Sequence, residues 1–524
     1  MRSPLIIGTR GSDLALWQAN HVKNLLENSG LQCELKIIKT QGDVIQHLSL
    51  DKLEGKGFFT KEIEDALLNN ETDIAVHSHK DLPTESPEGL VIAAVSHRED
   101  PAELLLIRKE AVDLKRKFSL KLKANVGTSS ARRKSQLLAF RSDIQLKDLR
   151  GNVPTRINKL REGQYDAIML AAAGVERLEI DLNEFHVERL DVKEFIPAPA
   201  QGVLAIQIRS NDKELFQKLQ ILNDVEVQKT IAIERKILNL FHGGCQMPVG
   251  AYAEYNDETE LYSVRVSKSE TWDKLPASVY SESKDATVLA ERVIEKLKNI
   301  KPSSVFISRD DRRDDYLKTV LEANGFTFSG KALIETTPIS FNNLPDCSWV
   351  FFSSKQAVKY FFEQNPKLDQ QKYAAVGKAT AEAIRRYGKR ADFIGASTDT
   401  KMIGKQFASK VGDSKVLFPQ AKGSMRSIQK QFVKRDQVVD LPVYETIRKN
   451  DGEVPEAEIL VFTSPSNVEA WFERFKIRRD QKVVAMGDAT ANALKQFHVI
   501  GCGQPDTFDD AGLARAVFSI SSNN

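Results

Sequence analysis

The chain has 524 residues, 41% hydrophobic and 28% charged, the balance of a globular protein long enough for several domains. A net charge of +3 excludes a global field that would draw in nucleic acid. Four scattered cysteines (Cys33, Cys245, Cys347, Cys502) with no CxxC pair argue against a disulfide framework or a zinc site, and no HxxxH-like pair among the eight histidines supports a metal. With no apolar run long enough to span a bilayer and no signal-peptide pattern, a cytoplasmic protein with no membrane partner is expected.

Short β-rich runs alternate with helical patterns from end to end, which predicts α/β architecture. A strand over 5–8 runs straight into Arg10-Gly11-Ser12 and a helix over 14–27. Arginine and serine at a strand's carboxyl end suit anion capture, although a serine cap beside a solvated arginine has the same sequence. Lys56 stands between glycines in Glu54-Gly55-Lys56-Gly57-Phe58, ahead of a helix over 61–69. A strand over 73–77 then ends in His77-Ser78-His79-Lys80-Asp81-Leu82-Pro83. A carboxylate among cations can stabilise a developing positive charge or move a proton; taken alone, a Lys–Asp surface turn is the ordinary explanation.

Strands over 91–95 and 104–107 come next, and Asn125-Val126 leads into Gly127-Thr128-Ser129-Ser130-Ala131-Arg132-Arg133 at the start of a helix over 131–140. Hydroxyls and free N–H groups lie at the helix start, with two guanidiniums that can bind carboxylate in a bidentate fork. Leu149-Arg150-Gly151-Asn152-Val153-Pro154-Thr155-Arg156 adds two more arginines beside a turn. So many cations on loops imply a ligand rich in carboxylates or phosphates, and the absence of GxxxxGK[ST] and GxGxxG loops disfavours a nucleotide.

After strands over 166–170 and 204–208 and a helix over 225–240 comes Gly243-Gly244-Cys245-Gln246-Met247-Pro248. Two glycines before a cysteine and a proline soon after it suit a tight exposed loop. A thiolate there is a candidate covalent attachment point; the ordinary alternative is a small buried residue in a turn.

A polar stretch over 298–304 reads as a linker between parts of about 300 and 220 residues. The second part repeats itself at an offset of 110. Phe351-Phe352-Ser353-Ser354 matches Val461-Phe462-Thr463-Ser464, and Ala375-Val376-Gly377-Lys378-Ala379-Thr380-Ala381 matches Ala485-Met486-Gly487-Asp488-Ala489-Thr490-Ala491. Strands over 305–308 and 415–418 are expected at the same offset. The repeat predicts two related α/β units, each strand ending in a polar turn that opens a helix, where carboxylates bind well and where ordinary capping is the simpler explanation of any single turn.

Taken together, the first part resembles the porphobilinogen deaminases. The motifs that carry the likeness are Thr9-Arg10-Gly11-Ser12-Asp13-Leu14-Ala15-Leu16-Trp17-Gln18, Gly55-Lys56-Gly57-Phe58-Phe59-Thr60-Lys61-Glu62 and Ala75-Val76-His77-Ser78-His79-Lys80-Asp81, the runs over 126–133 and 149–156, Pro197-Ala198-Pro199-Ala200-Gln201-Gly202 and Gly243-Gly244-Cys245-Gln246. They stand in family order over residues 1 to about 300; His79 and His242 depart from the usual residues without removing a group the reaction needs. From about Ser303 onward the chain resembles the uroporphyrinogen-III synthases through the repeat, the turns at Ser353, Thr380, Ser464 and Thr490, and Val443-Tyr444-Glu445-Thr446.

The resemblance implies a three-domain deaminase: two periplasmic-binding-protein-like α/β domains (1–98 with 199–240, and 99–198) and a small α+β domain over 241–300. A two-domain α/β synthase over 303–524 would come after it, with 338–442 inserted between 303–337 and 443–524. The resemblance also implies a dipyrromethane cofactor joined by thioether to Cys245, on which four porphobilinogen molecules condense with loss of ammonia. Arg10, Ser12, Lys56, Lys80, Thr128, Ser129, Ser130, Arg132, Arg133, Arg150, Gly151, Asn152 and Arg156 would hold cofactor or chain carboxylates, and Asp81 would stabilise the azafulvene cation formed as ammonia leaves. Tyr444 would assist loss of the hydroxyl before ring closure with inversion of ring D, with Ser353, Thr380, Ser464 and Thr490 holding substrate. A monomer acting on small molecules, with no metal, is expected. The competing expectations are a deaminase with an inactive second half, and a non-catalytic anion-binding protein.

Overall fold

Strands Glu103–Ile107 and Ile459–Phe462 are buried at every position, as in sheets covered on both faces by helices. They belong to different bodies. A computed structural model describes residues 4–40, 60–241, 247–312, 315–368, 370–397, 399–449 and 453–522, and the chain divides into the units Met1–Asn299 and Ile300–Asn524.

The first unit has two five-stranded sheets of one design. One runs Cys33–Ile37, Leu5–Thr9, Ile74–Ser78, Leu204–Arg209, Leu90–Val95; the other Gln145–Lys147, Asn125–Gly127, Ala167–Ala171, Glu103–Ile107, His186–Leu190. In each the first three strands are parallel and the fourth is antiparallel to both neighbours. That fourth strand is the first one laid down after the chain has crossed from the other sheet. The two crossings run side by side: Glu99 N–H donates to Gly202 O at 3.0 Å, and a Cβ on Gly202, at φ +89, would lie 2.5 Å from Glu99 O, so only glycine fits. Glu234, fully buried on helix Val225–Leu240, pins this junction. It takes Arg98 through both oxygens (2.7 and 3.3 Å) and also accepts from the N–H groups of Ala200 and Ala253. Ala253 lies in a third, antiparallel sheet of Val249–Asn256, Leu261–Lys268 and Ala277–Ser283.

The second unit has a four-stranded parallel sheet, ordered Thr327–Gly330, Ser304–Ile307, Ile459–Phe462, Lys482–Ala485. Its six-stranded sheet is ordered Ile334–Pro338, Val438–Arg448, Val416–Ala421, Trp349–Phe352, Lys372–Ala375, Ala391–Ile394, with only Ile334–Pro338 antiparallel. The four strands from Val438–Arg448 to Lys372–Ala375 copy the smaller sheet, and each sheet joins the first half of one sequence repeat to the second half of the other. Trp349↔Lys372 recurs as Ile459↔Lys482 at the expected 110. The first strand of each repeat corrects that expectation by one residue. Val305 pairs with Phe328 and Ile459, and its counterpart Val416 pairs with Val438 and Trp349, an offset of 111. The second repeat has one residue fewer between its first and second strands, Val416 to Val438 against Val305 to Phe328, and the register absorbs it there.

Candidate functional site

Asp81 ends a one-turn 3-10 helix, His79–Asp81, that comes after strand Ile74–Ser78, and its side chain is exposed. Lys80 beside it is half-buried, with Nζ 3.3 Å from Gln201 Oε1. Gln201 is itself buried and donates through Nε2 to Pro101 O and Ala102 O, so Lys80 is tied to both crossings. Burial pushes Lys80 below the usual lysine range; Asp81 works the other way, and Arg133 and Arg132 add to the lowering.

The other sheet supplies the arginines. Ser130 caps helix Ala131–Phe140 by accepting from Arg133 N. Arg132 Nη2 donates to Glu103 at 2.5 Å and Nη1 to Ile196 O; Arg133 Nη2 donates to the second Glu103 oxygen at 2.7 Å and Nη1 to Met169 O. Burial would raise the Glu103 carboxyl, but Arg133 and Arg132 override it and hold it at about 2. The two guanidiniums expected as open forks are thus buried and share one carboxylate, which leaves the trio with a single net positive charge. Arg133 Nε is buried without a hydrogen-bond acceptor among the described residues, a donor that a bound carboxylate would satisfy.

Ser129 staples the neighbouring loop, its Oγ donating to Leu149 O and accepting from Leu149 N, both at 3.0 Å. Thr128, buried, accepts from Ser130 N. Asn152 caps helix Val153–Arg161 through Thr155 N. Gly151, at φ +111, leaves no room for a Cβ, which would lie 2.6 Å from Thr155 Cγ2. Ser130, Asn152 and Gly151 therefore have the structural duties that capping and turn chemistry require. Ser12 differs: it stands at the start of helix Asp13–Asn28, but its hydroxyl makes no capping bond. Arg10 is half-buried in the turn before it.

Arg156 Nε donates to Gly151 O at 2.7 Å. Burial, with the positive fields of Arg133 and Arg150, brings Arg156 down to about 10 against the opposing field of Asp81. The two sheets thereby bring Asp81 and Lys80 together with Arg133, Arg150 and Arg156. Lys56 and Cys245 lie outside the described residues. Glu103 was not singled out in the sequence; its signal was the lone acid opening the apolar run Glu103-Leu104-Leu105-Leu106-Ile107.

In the second unit, Ser353 is exposed and the next residue, Ser354, does the work of the turn. Ser354 Oγ accepts from Ala357 N at 3.1 Å and lies 3.3 Å from Tyr444 Oη. Tyr444 stacks on Tyr360 at 5.5 Å between centroids, and burial raises its hydroxyl against the effect of Ser354. Ser464 caps helix Pro465–Phe472 through Asn467 N and receives Asn467 Nδ2 at 2.9 Å. Thr380 and Thr490 are buried, and Thr490 Oγ1 donates to Met486 O. Of the five, Ser353 is thus open to solvent, and the hydroxyls of Ser464 and Thr490 have internal partners. At the carboxyl end of strand Ser304–Ile307, Arg309 binds Asp315 and Asp510 at 2.8 and 2.7 Å, a cluster sequence reasoning did not find. Among the described residues no helix is long and apolar enough to cross a membrane.

Three family models match the chain. Porphobilinogen deaminase, dipyromethane cofactor binding domain, covers residues 5–217; porphobilinogen deaminase, C-terminal domain, covers 228–299; and uroporphyrinogen-III synthase HemD covers 315–515. The chain is 47% identical over 257 residues to a porphobilinogen deaminase of Sulfurimonas denitrificans, spanning 48% of this chain and 80% of that protein. It is 42% identical over 295 residues to one of Chloroherpeton thalassium, spanning 56% and 92%. Among solved structures, a uroporphyrinogen-III synthetase from Helicobacter pylori aligns at 17% identity and a TM-score of 0.32, over 41% of this chain and 98% of that one.

Proposed function

Because the chain belongs to the porphobilinogen deaminase family and carries a uroporphyrinogen-III synthase region behind it, we propose that Cys245 holds the dipyrromethane cofactor as a thioether and that Asp81 is the catalytic carboxylate. The chain is a bifunctional enzyme of tetrapyrrole biosynthesis. It condenses four porphobilinogen molecules into hydroxymethylbilane with release of ammonia, then cyclises that product with ring D inversion to uroporphyrinogen III. The first region is a dipyrromethane-binding domain, and when bound the cofactor supplies the primer to which pyrrole units are added.

The observation that carries the proposal is the meeting of exposed Asp81 with a cationic wall from the opposite sheet. Arg156 lies within the fields of Asp81, Arg133 and Arg150, and Lys80 within those of Asp81, Arg133 and Arg132. A group rich in acetates and propionates fits this donor set, and the unsatisfied Nε of Arg133 is a buried donor suited to one of its carboxylates. Arg10, Ser12, Lys56, Lys80, Arg132, Arg133, Arg150 and Arg156 then hold carboxylates of cofactor and growing chain, and Thr128, Ser129, Ser130, Gly151 and Asn152 shape the loops that present them. Asp81 offsets the positive charge that develops on porphobilinogen as ammonia departs, an interaction strongest in the transition state. In the second unit Tyr444, held by Ser354 and Tyr360, donates its proton to the departing hydroxyl, while Ser353, Thr380, Ser464 and Thr490 line the substrate. We further propose the domain division 1–98 with 199–240, 99–198 and 241–300, then 303–337 with 443–524 around 338–442, in a cytoplasmic monomer.

Intact-mass measurement of freshly purified full-length protein tests the cofactor assignment. A mass increment of one dipyrromethane, mapped to the peptide containing Cys245, is the expected result; an unmodified Cys245 in active protein overturns it.

A further inference from the structure

Helix Val225–Leu240 runs directly into the segment that contains Cys245, and one face of it is docked on the turn that carries Asp81. Arg235 Nη1 donates to His79 O at 3.2 Å and to Leu82 O at 3.3 Å, and Nη2 donates to Pro83 O. One helical turn on, Asn239 reaches Thr84 Oγ1 at 3.3 Å and Glu85 Oε1 at 3.4 Å. A single guanidinium thus takes three carbonyls that bracket Asp81.

The turn needs such a partner. A three-residue 3-10 helix leaves nearly all of its carbonyls without partners of its own. Here the internal bond is Leu82 N to His79 O at 3.3 Å, and the start of the turn is held by His79 N to Val203 O at 2.9 Å. Arg235 holds the other end, through the carbonyls of Leu82 and Pro83. Guanidinium is the side chain for this task, because its fixed fork of donors reaches several oxygens at once, whereas an ammonium is a point donor on a flexible stem.

We propose that Arg235 is a positioning residue for Asp81, holding the catalytic turn at a fixed place on the helix that leads to the cofactor-bearing cysteine. The inference rests on the assignment of Asp81 as the catalytic carboxylate. It gives Arg235 no contact with substrate: the guanidinium is engaged by backbone oxygens and acts on chemistry through the backbone of residues 79–83. Its neighbour Glu234 faces the crossings instead, so successive residues of one helix serve two different junctions.

The test uses full-length protein carrying Arg235→Lys, which keeps the charge and loses the fork. The expected result is protein loaded with cofactor by intact mass, faster amide hydrogen exchange confined to residues 79–85, and a KM for porphobilinogen near wild type. Its kcat should be lower by about 10- to 100-fold, the scale of loss for a displaced catalytic group. A merely structural role lowers the unfolding midpoint but leaves the kcat of the loaded enzyme intact, and that outcome overturns the proposal, as does unchanged exchange at 79–85. Combining Arg235→Lys with Asp81→Glu separates this proposal from the one beneath it. If Arg235 works through Asp81, the double variant loses little beyond Asp81→Glu alone; full additivity of the two losses sinks the positioning role. Wild-type kcat in Asp81→Glu together with wild-type kcat in Asp81→Ala removes the Asp81 assignment itself.

Discussion

The Glu103 carboxylate accepts Arg133 Nη2 at 2.7 Å in a pair where neither side chain is as much as a tenth exposed. Its other oxygen takes Arg132. Adjacent guanidiniums one residue apart repel, and in a buried site that repulsion is barely screened. Glu103 makes the arrangement tolerable and leaves one unit of positive charge for a ligand. Glu103→Gln should therefore cost about 3–5 kcal/mol, the usual loss when a buried pair loses one partner. An earlier first transition in urea and poorer cofactor loading by mass are expected; an unchanged transition would show that the arginines find another partner.

Acid sensitivity should begin with two histidines. Burial holds His77 at about 4, and burial with the positive field of Arg235 holds His79 at about 3. Both folded values lie below the ordinary 6.5, so the unfolded chain takes up protons first as pH falls. Stability is full above pH 6.5 and declines as pH drops from 6.5 toward 4, with a slope approaching 1.4 kcal/mol per pH unit for each histidine. Glu103 acts lower: its contribution is present above about 4.5 and disappears as pH falls toward 2. The urea midpoint of the first transition should fall across pH 6.5–4.5, and His77→Gln should flatten that fall. A midpoint independent of pH in this window contradicts the prediction.

Cys245→Ser should carry no cofactor and show no deaminase turnover, because a serine hydroxyl is a far poorer nucleophile near neutral pH. Mass spectrometry and ammonia release read this directly. Full turnover with an unmodified chain would remove the assignment.

Asp81→Asn and Asp81→Ala should fold, since the side chain is exposed and Arg235 holds the turn through its backbone. Condensation should slow by about 100-fold or more, the scale of losing one preorganised electrostatic group. Near-normal ammonia production by Asp81→Ala is the outcome that counts against the role.

Residues 1–300 expressed alone should make hydroxymethylbilane that ends as the symmetric uroporphyrinogen I, while the full chain yields mainly isomer III. The division into units at Asn299 motivates the cut. Tyr444→Phe should lower the share of isomer III without abolishing it, since Ser354 and the stacked Tyr360 stay in place. Chromatography of the oxidised products decides it; only isomer I from the full chain would mean that the second unit does not act as a synthase under those conditions.

Much of this was legible in the sequence because it is local. Turn residues at strand ends, caps at helix starts and the spacing of a duplicated unit depend on neighbours a few positions away. Ser130, Ser354 and Ser464 all cap helices at the strand-ending turns read from the sequence, whereas the helix that Asn152 caps was not expected. The α/β class and the repeat at 110 were readable for the same reason. Pairing at long range is what the sequence could not show. Ser354 Oγ lies 3.3 Å from Tyr444 Oη, ninety residues further along the chain, a proximity that no local pattern shows. The offset of 111 at Val416 comes from a register that only hydrogen-bonded neighbours define.

By itself, then, the sequence determined which chemistry-bearing residue types stand at which turns, and through them the family, since motif order and local conformation are written in adjacent residues. The tertiary structure alone decided which cations are anchored on a protein carboxylate. Arg132 and Arg133 read alike with Arg150 and Arg156 along the chain, yet Glu103, about thirty positions away, takes only the first two into a buried pair. The segregation is physical: a guanidinium can leave water only where a carboxylate or carbonyl is already in place to receive it, and the fold determines where those acceptors lie.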